Sequence, residues 1–408
     1  MAKNKNLIMT EPRALFTHFF VAVTSMLCIS FASSCSDDEN NEPKITSHNP
    51  AECITDAKKL AMLRSMKDLD GTGRLYEINY TADYKLDKVL EAGYTETNAL
   101  FNYLASILYD KMPEKKAQVS FGTGCSAFAV PDSKNSTFFM GRNYDFCHAS
   151  DDGDGYQSIA AILVRTAPAG GKKSISMVDA LNMGYSKGFY NDGDTDLSLL
   201  MGLPYAALDG INEDGFAIGV LALREEQTWQ NTGQPRIGTT TAIRMLLDRA
   251  STVKEAIEML RNYDMDMRGN GTSNYHYFMA DATGDYAIVE YTFNKGEKIP
   301  HVMEVLSDND TLRCVTNFYV SPTMVGTNEG WGSSHGRNRY DTLRETLAAN
   351  NYKLGASDAM SLLSSVSQPP SASITSQTQW SSVYDLKAKT LRLAILREYG
   401  KMYDFKVE

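Results

Sequence analysis

Two short runs, Gly124-Cys125-Ser126-Ala127-Phe128 and Gly141-Arg142-Asn143-Tyr144-Asp145, constrain this chain more than any other feature. The apolar stretch from Cys125 to Val130, the turn-forming Pro131-Asp132-Ser133-Lys134-Asn135 and the β-prone Ser136-Thr137-Phe138-Phe139-Met140 predict a hairpin. Such a hairpin commits this part of the chain to a sheet. It also returns Arg142 and Asp145 to the side of Cys125.

The residue types fit one chemistry. A free cysteine thiol titrates near about 8.5, so at neutral pH it needs a base or a cation to become a nucleophile. If the bond between Gly124 and Cys125 is cut, Cys125 gains a free α-amine. That amine titrates at about 7.7 to 8.0 and can take the thiol proton without a histidine. Arg142 would favour the thiolate, and Asp145 would orient the amine. Gly124 has no Cβ, which lets the backbone adopt the strained geometry in which a thiol attacks its own preceding carbonyl. The bland reading of the same residues is a small core cysteine beside a surface Arg–Asp pair.

Three later segments bear on the choice. Asp209-Gly210-Ile211-Asn212-Glu213-Asp214-Gly215-Phe216 is a tight turn entering the buried strand Phe216 to Leu221. Cys314-Val315-Thr316-Asn317-Phe318 ends an apolar, β-branched run on an asparagine. Arg337-Asn338-Arg339-Tyr340 opens an amphipathic stretch.

In this order, the four segments resemble the choloylglycine hydrolase family of linear-amide hydrolases. That family includes bile salt hydrolases and penicillin V acylases, and is related to acid ceramidase, N-acylethanolamine acid amidase and the fungal penicillin acyltransferases. The resemblance implies an α+β fold, the four-layer αββα N-terminal nucleophile sandwich, with mature Cys125 opening a strand. It implies that Asn317 helps hold the nucleophile and the oxyanion, with a backbone N–H near Leu221 as a further donor. Arg339 matches the second arginine of the site, with Arg337 as the fallback. The expected function is a self-processing cysteine amidase that works through a thioester. The Gly124-Cys125 junction behind a long leading segment is similar to the ceramidase and acyltransferase branches, which free their nucleophile by self-cleavage.

One position departs from the pattern. Where relatives carry Asn or Tyr on the strand after the Asn-Glu-x-Gly turn, this chain has Ala222, which offers no side-chain donor. The small-molecule acyl-amide substrate is thus left open among bile-acid conjugates, N-acyl amino acids or ethanolamides, and penicillin V-like phenoxyacyl amides.

The N-terminus speaks to location. Lys3, Lys5 and Arg13 precede an apolar run from Ala14 to Ala32 that ends in Ser33-Ser34-Cys35, the pattern of an export signal with a small-residue cleavage site. It looks like a bacterial lipoprotein signal with Cys35 lipidated; the alternative is a transmembrane anchor. The acidic tether Ser36 to Pro43 resembles the surface-export signal of Bacteroidota lipoproteins. This implies a cell-surface place on the outer membrane, or a periplasm-facing one, held through the lipid anchor alone. The expected organisation is a signal peptide over 1–34, a tether over 35–50, a helical prosegment over 51–124 and a hydrolase domain over 125–408. Helix-spaced apolar faces at Ala57 to Leu63 and Lys85 to Met112 mark the prosegment, expected to stay bound after cleavage as the small subunit of a heterodimer.

Composition sets the remaining limits. The 408 residues are 43% hydrophobic and carry a net charge of -10, with no basic stripe, which argues against nucleic acid. Six cysteines show no CxxC spacing and the histidines no HxxxH, so neither a metal nor another cofactor is expected. Outside the signal and the nucleophile remain Cys53, Cys147 and Cys314, whose spacing predicts no disulfide pairing. Thr239 to Asn262 predicts two helices broken at Ala250-Ser251, with a Thr252-x-x-Glu255 capping box. Tyr275 to Tyr291 and Trp380 to Ile395 predict hairpins, and Tyr340 to Ala348 and Ser357 to Val366 helices. The loop from Gly184 to Asp196 fits a site rim or a plain surface excursion.

Two other readings stand beside the amidase. A papain-like thiol protease would pair Cys125 with His276, but needs the cysteine at the head of a helix. A non-enzymatic surface-binding lipoprotein would leave Gly124-Cys125 intact and unreactive. Oligomeric state is not indicated.

Overall fold

The structure, a computed structural model, describes residues 53–111, 124–146, 148–149, 156–157, 160–191, 195–223, 226–268, 274–293, 302–324, 336–370 and 377–408. The signal peptide with Cys28 and Cys35, the tether and Cys147 lie outside the described residues.

In chain order the main strands are β1 (Lys67–Asp68), β2 (Leu75–Tyr80), β3 (Gly124–Pro131), β4 (Phe138–Phe146), β5 (Ala161–Thr166), β6 (Ser174–Asp179), β7 (Asp209–Asn212) and β8 (Ala217–Leu223). They continue as β9 (Asn274–Ala280), β10 (Tyr286–Thr292), β11 (Val302–Leu306), β12 (Cys314–Val315), β13 (Gln377–Asp385), β14 (Thr390–Ile395) and β15 (Met402–Lys406). The helices are α1 (Ala57–Leu63), α2 (Leu86–Ala92), α3 (Thr97–Leu108), α4 (Thr239–Arg249), α5 (Val253–Leu260), α6 (Arg337–Ala349) and α7 (Ala356–Ser365). A nine-stranded sheet has the order β1-β2-β5-β6-β7-β8-β9-β10-β11, and a six-stranded sheet the order β12-β3-β4-β13-β14-β15.

Side-chain alternation explains how the layers stack. Cys125, Ala127 and Ala129 of β3 and Met140 and Tyr144 of β4 share one core with residues of the nine-stranded sheet. Their neighbours Phe128, Val130 and Phe139 instead pack with Leu343 and Leu347 of α6 and Leu362 and Leu363 of α7. On the far side, Tyr76, Ile78, Ile162 and Val164 meet Leu100 and Leu104 of α3. The layers therefore run helix, sheet, sheet, helix, the α+β sandwich implied by the sequence resemblance.

The hairpins at β3–β4, β9–β10 and β13–β14 form in antiparallel register. The α4–α5 break falls at Ala250-Ser251, and the Thr252 hydroxyl accepts the Glu255 N–H at 3.2 Å. The Glu255 carboxylate closes the cap on the Ser251 N–H at 2.7 Å, one residue earlier than an ideal box.

The segment before Cys125 differs from the all-helical expectation. Besides α1, α2 and α3 it contributes β2, whose six residues pair in parallel with β5 inside the nine-stranded sheet. Leu75-Tyr-Glu-Ile-Asn-Tyr80 alternates apolar and polar only in part, since both faces of the strand are largely buried. In the Gly184 to Asn191 part of the loop, Phe189 and Tyr190 turn inward, edge-on to Tyr76 at 5.1 and 5.9 Å. These two rings pack on the leading segment. Among the described residues no helix is long and apolar enough to cross a membrane.

Candidate active site

The site forms at the head of β3, where a strand ladder gives way to side chains. β12 pairs with β3 only at Cys314↔Phe128 and Val315↔Ala127, so at Cys125 the neighbouring strand has ended. Asn317 and Arg339 take its place. The Asn317 Oδ1 accepts the Cys125 N–H at 2.7 Å, and Arg339 Nη1 donates to the Cys125 carbonyl at 2.6 Å. Arg339 Nη2 also donates to Asn317 Oδ1 at 2.8 Å, which links the two substitutes. The backbone of Cys125 is held on both of its polar atoms.

The thiol points to the inner face. In the β3–β4 register Arg142 lies opposite Ala127, on the same face as Cys125, and its Nη2 is 3.7 Å from Sγ. The same Nη2 donates to the Val220 carbonyl at 2.7 Å, while Nη1 forms an ion pair with the fully buried Asp209. Asp209 in turn accepts from Trp380 Nε1 at 3.1 Å and from the Tyr384 hydroxyl at 2.8 Å. Gly219 makes room: a Cβ there would sit 2.6 Å from Arg142 Cδ. Burial works most strongly against the Arg142 charge, but Asp209 together with Cys125, Tyr384 and Tyr144 outweighs it and holds the guanidinium more firmly protonated than usual.

Burial pushes the Cys125 thiol up; Arg142 and, more weakly, Arg339 pull it back, and Asp145 opposes them. In the uncut chain the net direction is upward, so the proton stays on sulfur until a base takes it.

Asp145 sits differently from the sequence expectation. It pairs with Gly124 in the register, which turns its side chain to the outer face. There it accepts from the Thr378 hydroxyl and from Gln368 Nε2, both at 2.6 Å, and lies 3.3 Å from Arg339 Nη1. The group that meets the Cys125 nitrogen is Asn317, and Asp145 instead positions Arg339. Between the two arginines, Arg339 is buried in the site, whereas the side chain of Arg337 is 51% exposed and pairs loosely with Asp341.

The backbone N–H turned toward Asn317 is one residue beyond Leu221. The Val220 N–H bonds to the Leu208 carbonyl and the Ala222 carbonyl accepts Asn317 Nδ2 at 2.7 Å, so the polar groups of both residues face away from β9. Those of Leu221 alternate and point toward its β9 partner His276. The N–H that faces the Asn317 side is that of Ala222. The Asn317 amide has two N–H bonds, of which the Ala222 carbonyl takes one.

His276 is no partner for the thiol. Its Nδ1 lies 2.9 Å from Glu290 Oε1 and its Nε2 2.8 Å from the Thr316 carbonyl. With Cys125 on a strand as well, the papain-like reading loses both of its supports. Cys53 and Cys314 are free and buried, and burial pushes the Cys314 thiol up to about 12.

Asp209, Gly219, Gln368, Thr378, Trp380 and Tyr384 carry the site without having been assigned roles from sequence. Gly219 left a signal, a lone glycine in the apolar run Ala217 to Leu223. Gln368 and Thr378 left none, because their partners lie more than 200 residues away.

A buried thiol at a strand head, backed by two arginines and facing a second sheet, is the arrangement expected of the N-terminal nucleophile fold. The chain belongs to the acyl-coenzyme A:6-aminopenicillanic acid acyl-transferase family, whose sequence profile matches residues 132–398. This bears out the resemblance read from the motifs, and with it an enzyme acting on acyl-amide bonds. The match takes in Arg142, Asp145, Asn317 and Arg339 and starts after Cys125.

Among solved structures, a mutant conjugated bile acid hydrolase from Clostridium perfringens is similar at 15% identity, over 69% of this chain and 92% of that one, with a TM-score of 0.46. Penicillin V acylase from Agrobacterium tumefaciens is similar at 18% identity, over 66% and 83%, with a TM-score of 0.42. No curated protein matches the chain.

Proposed function

We propose that the chain is a self-processing cysteine amidase that hydrolyses linear C–N amide bonds of acyl conjugates. The observation that carries this reading is the treatment of Cys125: its nitrogen, sulfur and carbonyl oxygen each meet a dedicated buried side chain, Asn317, Arg142 and Arg339. A core cysteine needs none of them.

In the first stage the Cys125 thiolate attacks the Gly124 carbonyl, and the acyl group shifts from nitrogen to sulfur. Water then hydrolyses that thioester, leaving a carboxylate on Gly124 and a free amine on Cys125. In turnover the new α-amine takes the thiol proton. The thiolate adds to the substrate carbonyl, and Asn317 Nδ2 and the Ala222 N–H face the developing oxyanion. Each such donor is worth about 2.7 to 4 kcal/mol in comparable sites. The ammonium returns its proton to the leaving amine, and water, deprotonated by the same amine, releases the acyl group and restores the thiol.

The similar structures are a conjugated bile acid hydrolase and a penicillin V acylase, and this chain's substrates fall in the same broad class, an acyl group amide-linked to a polar amine. The test is a panel of glycine-conjugated bile acid, N-acyl amino acid, N-acylethanolamide and phenoxyacetyl amide, scored for amine release. Turnover of at least one, with an acyl-Cys125 adduct trapped by rapid acid quench, is expected; a protein inert to all four and unacylated would overturn the reading.

A further inference from the structure

His276 and Glu290 are buried, titratable and unused by the mechanism above, yet they close on the segment that carries Asn317 from both sides. Before Asn317, the Thr316 carbonyl lies 2.8 Å from His276 Nε2. After it, the two Glu290 oxygens accept successive backbone N–H groups, Val320 at 3.0 Å and Ser321 at 2.9 Å. His276 Nδ1 and Glu290 Oε1 join the two halves at 2.9 Å. Both side chains are fully buried, on the adjacent strands β9 and β10 of the nine-stranded sheet. The segment they grip follows β12 of the other sheet.

The proton count shows that this is a built clamp. A carbonyl only accepts, so Nε2 carries a hydrogen toward Thr316. Nδ1 of that tautomer offers only a lone pair and a carboxylate oxygen also only accepts, so the contact between Nδ1 and Oε1 needs one further proton between them. Thr316 extends the grip, its hydroxyl donating at 2.9 Å to the carbonyl of Gly336, the residue that opens α6 ahead of Arg339.

We infer that His276 and Glu290 are positioning residues, which fix Asn317 against the Cys125 nitrogen by fastening the 316–321 segment to the nine-stranded sheet. This rests on the amidase reading for its effect on rate, but not for its effect on structure. Misplacing a group by about 1 Å can cost on the order of 100-fold in rate.

The test uses the full chain and the near-isosteric Glu290→Gln, because His276→Ala risks a misfolded product. Gln has one acceptor oxygen, so one of the two N–H bonds is lost. Amide hydrogen exchange should show faster exchange within 314–321 and unchanged protection in β13 and β14; unchanged exchange in 314–321 overturns the proposal. Turnover should fall about 10- to 100-fold in kcat with KM nearly constant. In an Asn317→Ala background the same substitution should cost little more, since the two act in series. Effects that multiply fully would overturn the proposal. If the wild-type chain hydrolyses nothing, the amidase reading fails, while exchange still decides the clamp.

Discussion

Asn317 Oδ1 accepts the backbone N–H of Cys125 at 2.7 Å, bridging 192 positions of sequence with a side chain where a β-ladder would place a carbonyl. In the proposed cut product the same oxygen would face an amine and hold its lone pair in a fixed direction relative to the thiol. Asn317→Ala should therefore lower kcat/KM by about 10²- to 10³-fold. Asn317→Asp should not restore it, because a carboxylate oxygen would then oppose the Ala222 carbonyl. Steady-state kinetics on both variants check this.

Arg142 ties the Cys125 thiol to the buried Asp209 carboxylate. Arg142→Gln leaves Asp209 without its cation and should destabilise the fold by about 3 to 5 kcal/mol, measured by denaturant unfolding. Gly219→Ala separates position from charge: the added Cβ displaces Arg142 at a cost of about 1 to 3 kcal/mol. It should reduce turnover more than stability.

The acidity of the thiol gives a signed pH dependence. Burial raises the Cys125 thiol in the uncut chain, so self-cleavage should accelerate with rising pH through and beyond the ordinary thiol range. The linkage has a matching sign. A group whose folded pKa is raised contributes stability below its unfolded pKa, and that contribution is lost as pH rises through the folded value. Removing the Arg142 charge should move the rate limb further alkaline. A pH series of intact-mass time courses reads both.

Much of the candidate site was legible because groups on a hairpin keep short sequence separations. The β3–β4 turn at Pro131 to Asn135 announced itself through turn chemistry, and with it the return of Arg142 to Cys125. Asp145 was legible as a partner but not in its direction, since pairing with Gly124 turns it to the outer face. The backbone N–H that faces the Asn317 side is that of Ala222 and not of Leu221, a one-residue difference the sequence hides because strand polarity depends on where β7 stops pairing. β2 escaped for another reason: a strand buried on both faces lacks the clean alternation that marks a half-exposed one.

The leading segment should remain after cleavage. β2 lies inside the nine-stranded sheet, and Tyr76, Ile78 and Tyr80 are buried against α3 and the core. We predict that the cut protein elutes as one particle and separates into two chains only in denaturant. Ile78→Asp, which places a charge in that packing, should yield insoluble or uncut chain.

The measurement that bears most directly on the account is intact mass with N-terminal sequencing of the purified chain beside Cys125→Ala. The account predicts two wild-type fragments, the larger beginning at Cys125, and a single uncut, inactive variant. A Cys125→Ala protein that is still cut before residue 125, or still releases amine from an acyl amide, would contradict it.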